Sequence, residues 1–93
     1  MARIVQNNKD FRVIALESKE LEYLHFGNIC FKCNRKILKD EEAYYIAVLH
    51  DIMDKECYEK WLERAENYPE DRNIENFNMG WVIGRLNSVD IYL

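Results

Sequence analysis

Three cysteines constrain this chain more than any other feature. Cys30 and Cys33 stand two residues apart in "CFKCNRKI", and Cys57 follows in "DKECYEKW". An odd count argues against a disulfide framework. A chain of 93 residues buries a modest share of its surface, and domains this small often rely on a disulfide, a metal or a partner subunit. The length allows one domain, residues 1–93. No apolar run approaches the ~20 residues that cross a bilayer. The start, "MARIVQNNKD", lacks the apolar stretch of a secretory signal. The expected setting is the cytoplasm, where thiols stay reduced and paired cysteines more often serve a metal or a reaction than a bridge.

The segments around the cysteines have readable order. "DFRVIAL" (10–16) predicts a strand, rich in residues that suit a pleated surface. "SKELEYLHFG" predicts a short helix with Ser18 as N-cap and Gly27 at its end. Cys30 to Asn34 predicts a tight turn. "RKILKDEEAYYIAVL" predicts a hairpin turning at Lys39–Glu42, with Ala43–Leu49 as its second arm. Tyr44 and Tyr45 then point to opposite faces, so one of them is expected outward.

Lys55–Asn67 predicts the clearest helix. Asp54 is its N-cap, and Cys57, Tyr58, Trp61, Leu62, Ala65 and Tyr68 form an apolar stripe ended by Pro69. "YPEDRNIENFN" reads as a polar loop. In the tail, Met79, Val82, Ile83, Leu86 and Val89 fit a helix that Gly80 and Gly84 weaken. A hairpin at Asn87–Ser88 is the alternative, and a self-pairing end strand would make a homo-oligomer.

A turn, a hairpin and a helix start can bring Cys30, Cys33 and Cys57 together. Zinc favours four ligands in a tetrahedron, thiolate and imidazole foremost. Three residues compete for the fourth place. Asp54 gives C-x2-C-x20-D-x2-C, His50 gives C-x2-C-x16-H-x6-C, and His25 lies five residues before Cys30. Histidine is the better chemical partner for thiolates, and Asp54 has the better spacing.

With these residues the chain resembles a treble-clef zinc module: a CxxC knuckle, a β-hairpin, and a helix whose start completes the site. The LIM half-module is similar, with H-x2-C where this chain has "DKEC". The resemblance covers Cys30 to about Tyr68. The strings "YYIAVL", "ECYEKW" and "YPED" also look like small, uncharacterised bacterial and phage proteins, whose usual site would have a cysteine near position 54. The expected fold is therefore α+β: a treble-clef-like centre, an N-terminal strand and helix, and a C-terminal helix or strand.

The net charge of −4 falls within Asp54–Glu75, where eight acids face four bases. Such a chain is a poor general binder of phosphate backbones, although Lys32, Arg35, Lys36 and Lys39 cluster around the knuckle. No paired acid and base, phosphate loop or nucleophile elbow suggests an enzyme. A CxxC followed by a turn also lacks the thioredoxin arrangement. The resemblance implies a protein-binding module with structural zinc; the candidate partner-binding residues are Tyr44 and the acidic Glu63, Glu66 and Glu70. The alternative is an acidic, anti-CRISPR-like inhibitor of a host nucleic-acid enzyme, encoded by a phage or mobile element. Direct nucleic-acid binding through the knuckle is the third option.

Overall fold

The computed structural model describes residues 1–93. Its centre is a four-stranded antiparallel sheet: β1 (Arg3–Ile4), β2 (Val13–Glu17), β3 (Glu42–Ile46) and β4 (Asp51–Met53), in the spatial order β1-β2-β3-β4. The helices are α1 (Ser18–Leu21), α2 (Lys55–Arg64) and α3 (Arg72–Asn87), with a 3-10 turn at Pro69–Asp71 before α3. No helix is long and apolar enough to cross a membrane.

Side chains alternate between the two faces of a strand, and here both faces are covered. Ile14, Leu16, Tyr45 and Ile52 point to one side, where they pack with Leu21, Leu24, Met79, Val82 and Leu86. Val13, Ala15, Tyr44, Ile46 and Met53 point to the other, where Phe11, Cys30 and Tyr58 close over them. The register sets this division: Tyr45 lies between Ile14 and Ile52, and Tyr44 between Ala15 and Met53. The sheet thus lies between a layer holding α1 and α3 and a layer holding α2 and the cysteine turn.

This layering corrects one expectation. Neither tyrosine faces outward: Tyr44 and Tyr45 are both buried. Tyr44 stacks on Tyr58 with ring centres 4.7 Å apart. A sheet covered on two sides has no solvent face for either residue, so Tyr44 is not an exposed partner anchor.

Other boundaries also differ. Arg35–Leu38 is not a hairpin arm. Only Lys36 forms a bridge, with Ile29, and the hairpin before α2 is β3–β4. The α1 helix is capped by Glu17 rather than Ser18, with the Glu17 amide donating to Glu20 Oε1 at 2.8 Å. It ends at Leu21, and Gly27 takes its positive φ of 73° in the loop before the cysteines. The α2 helix stops at Arg64, three residues before the expected Asn67. Lys9 Nζ donates to the carbonyls of Glu63 and Ala65, and Asn67 Nδ2 donates to the Lys9 carbonyl. These bonds draw the chain off the helical path.

The expected polar loop is partly helical, because α3 starts at Arg72. Its first inward positions are polar yet satisfied. Glu75 Oε2 accepts from the Arg12 amide at 2.9 Å, Glu75 Oε1 pairs with Arg72, and Asn78 Nδ2 donates to the Ala47 carbonyl at 2.8 Å. Beyond α3 the chain turns, with Ile91 packed on the core. Residues 88–93 form no strand.

Candidate metal centre

The cysteine turn is a miniature antiparallel loop. The Ile37 amide donates to the Asn28 carbonyl, and the Cys30 amide donates to Arg35 at 2.9 Å. The Asn34 amide returns to the Cys30 carbonyl at 2.9 Å, with Asn34 at φ 61°. Asparagine tolerates this left-handed conformation better than most residues. The Phe31 amide donates to the Ile52 carbonyl at 2.9 Å, which fixes the loop to the free edge of β4. One residue beyond that strand, Asp54 opens α2.

Four ligand atoms result from this arrangement. One each from Cys30, Cys33, Asp54 and Cys57 lie within 4.8 Å of one another. Bond lengths to zinc of about 2.3 Å for sulfur and about 2.0 Å for oxygen put tetrahedral ligands roughly 3.5–3.8 Å apart. The Cys33 thiol already donates to Asp54 Oδ2 at 3.3 Å. Small side-chain movements would close the rest of the cluster around an ion. All three cysteines are free thiols.

Asp54 shows why a carboxylate can stand here. Oδ1 accepts from the Cys57 amide at 2.8 Å as the N-cap of α2. Oδ2 is left for Cys33 and for Arg35 Nε, which donates at 3.2 Å. One carboxylate thus caps the helix and faces the sulfurs. Asp54 is only 3% exposed. Burial raises its carboxyl pKa, but bonds from the Cys57 amide, the Cys33 and Cys57 thiols and Arg35 outweigh this and hold it below the ordinary value.

The thiols respond to opposing forces. Burial pushes the Cys30 thiol up, yet backbone N–H groups of Cys33, Asp54 and Lys32 bond to it and bring its pKa below the ordinary value. The Arg35 amide pulls Cys33 down, but burial and the Asp54 carboxylate leave it raised. Burial, with Cys33, Cys30 and Asp54 beside it, pushes Cys57 up to about 12. Amide donors aimed at sulfur stabilise thiolate, whereas adjacent thiolates and a carboxylate resist sharing a small volume. A divalent cation reverses that resistance and releases protons. The donor set could hold a metal ion such as zinc.

The two histidines lie elsewhere, which corrects their candidacy as fourth ligand. His50 sits in the β3–β4 turn at φ 53°, with Nδ1 2.7 Å from the Tyr45 hydroxyl. Burial, then the Asp51 carboxylate, raises the Tyr45 hydroxyl pKa. The His50 ring packs edge-on against Phe26 and Trp81, on the α3 side of the sheet. His25 Nε2 lies 2.6 Å from Arg85 Nη2.

Arg35 and Glu41 have roles that sequence reasoning missed. Arg35 Nη1 and Nη2 bond Glu41 at 3.0 and 2.6 Å while Nε holds Asp54. The arginine is therefore engaged within the protein rather than free among the knuckle cations. The available signal was the turn at Lys39–Glu42, which returns an acid toward Arg35. Glu63, Glu66 and Glu70 are exposed and form no ion pair. Two other acids of the same span, Asp54 and Glu75, are buried. No protein-family model, curated protein or solved structure matches this chain.

Proposed function

We propose that Cys30, Cys33, Asp54 and Cys57 bind a structural zinc ion and that the protein works as a non-enzymatic protein-binding module. The observation supporting this reading is the convergence of three sulfurs and a carboxylate within 4.8 Å. The order of cysteine loop, β3–β4 hairpin and α2 start is similar to that of a treble clef, which supports the zinc reading. Four protein ligands would leave no open position for a reacting water, the usual mark of a structural zinc. The ion would tie two separate pieces of chain, the cysteine turn and the start of α2, to one point and support the layer over Tyr44 and Met53.

The acidic surface supplies the binding reading. Glu63, Glu66 and Glu70 present exposed carboxylates that pair with no internal cation, suited to a basic protein surface. This favours, as a second reading, an acidic inhibitor of a nucleic-acid enzyme encoded by a phage or mobile element. Affinity capture by the purified, zinc-loaded protein tests both. The expected partner is a basic protein whose capture is lost in the triple variant Glu63→Lys, Glu66→Lys, Glu70→Lys. Equal capture by wild type and variant would defeat the acidic-surface account. Competition between a captured protein and its nucleic acid would favour the inhibitor reading. A salt-sensitive shift of nucleic acid by the protein alone would instead favour direct binding through the knuckle.

A further inference from the structure

The solvent side of α3 has a different character from the acidic surface around α2. Its outward positions are Ile74, Phe77, Gly80, Trp81 and Gly84, with Asn73, Asn76, Asn87 and Ser88 along the flanks. None of these residues is charged, although the chain carries −4. Phe77 is 71% exposed, Ile74 50% and Trp81 38%. Below this face, Val82 and Leu86 are already buried in the core. The helix is therefore apolar on the side that the fold does not use.

We infer that this α3 face pairs with the same face of a second copy, giving a twofold homodimer. A twofold interface must complement itself, and this strip contains both projections and recesses. Phe77 and Trp81 project. Gly80 and Gly84 leave space beside them, since a Cβ at either position would meet nothing within 4 Å. Small residues let helices approach closely, and a bulky side chain from the partner can occupy the recess. Trp81 is held ready by Phe26 and His50 at its edges and by the Arg85 guanidinium 5.5 Å from its ring centre. A preoriented aromatic loses little freedom on binding.

Charge and area favour the second copy as occupant. Two acidic molecules repel at most approaches, but the outward residues of this strip carry no charge, and its one neighbouring cation, Arg85, is held by the Tyr23 carbonyl and His25. The exposed parts of Phe77, Trp81 and Ile74 amount to about 300 Å² per copy, from the usual size of aromatic side chains. Twofold pairing doubles that to about 600 Å² of apolar surface, the centre of a small interface below about 1,200 Å², the range of weak, concentration-dependent association. The face lies across the sheet from the cysteine cluster, so the inference does not depend on the metal-binding proposal.

Sedimentation equilibrium of the intact protein over a wide concentration range, with added zinc and with a chelator, tests the pairing. The expected species has twice the 11.3 kDa chain mass. Phe77→Lys and Gly84→Leu should each weaken association about thirtyfold or more, the scale of losing a central interface residue. Neither should lower the melting temperature of dilute protein, because Phe77 is exposed and a Gly84 Cβ enters open space. A wild-type protein that remains at the single-chain mass would overturn the inference, as would a dimer surviving both substitutions. Monomeric wild type that binds phosphatidylcholine vesicles through this face would assign it to lipid and likewise reject the dimer.

Discussion

Asp54→Asn separates the two roles of this carboxylate. Asparagine caps helices about as well as aspartate, so the bond to the Cys57 amide should survive. The substitution removes the charge facing Cys33 and the partner of Arg35 Nε. Arg35 is half-exposed and keeps Glu41. Solvent screening therefore limits the loss in metal-free protein to about 1 kcal/mol or less. The metal-bound protein has more to lose. Zinc at a hundred times its dissociation constant stabilises the folded state by about 2.7 kcal/mol, and most of that increment should vanish when a ligand is lost. Urea unfolding of both proteins, with zinc and with a chelator, measures each difference under reducing conditions. A small metal-free loss and a large metal-dependent loss are expected. Equal destabilisation in the two conditions would make Asp54 a helix cap alone and refute the four-ligand argument.

Further consequences concern the surrounding residues. Zinc affinity should fall as pH is lowered, because Cys33 and Cys57 have raised pKa values and must give up their protons to the metal. Each thiol proton released makes the affinity change by up to about tenfold per pH unit, measurable by competition with a chromophoric chelator. Arg35→Gln should weaken zinc by about tenfold, since it removes the strap that orients Asp54. Circular dichroism should show an unchanged fold, and a competition assay should report the loss. Glu75→Ala should destabilise by about 2–3 kcal/mol, because it leaves the Arg12 amide and Arg72 without their buried acceptor. Thermal denaturation checks this, and a change below about 0.5 kcal/mol would contradict the role given to Glu75.

The sequence made the cysteine–aspartate cluster legible because residue type and local geometry agreed. Asp54 is both a favourable N-cap and one turn from Cys57, and the Cys30–Cys33 turn holds two sulfurs locally. The strand through Tyr44 and Tyr45 was readable, but its surroundings were not. Whether a strand has one covered face or two depends on which helices fold over it. β4 has only three residues, Asp51–Met53, too short for a clear alternating pattern. The start of α3 was hidden for a different reason. Its buried positions include Glu75 and Asn78, whose partners Arg12, Arg72 and Ala47 are brought near by the fold. Polar residues at inward positions erase the apolar period by which a helix is recognised. Arg35 showed a basic side chain in sequence, but only its meeting with Glu41 and Asp54 reveals a positioning role.

X-ray absorption of zinc-loaded, reduced protein examines the coordination directly. One zinc per chain should be surrounded by three sulfurs at about 2.3 Å and one oxygen at about 2.0 Å, with the oxygen signal lost in Asp54→Ala. A shell containing only oxygen and nitrogen, or a signal indifferent to replacement of Cys57 by serine, would contradict the proposed centre.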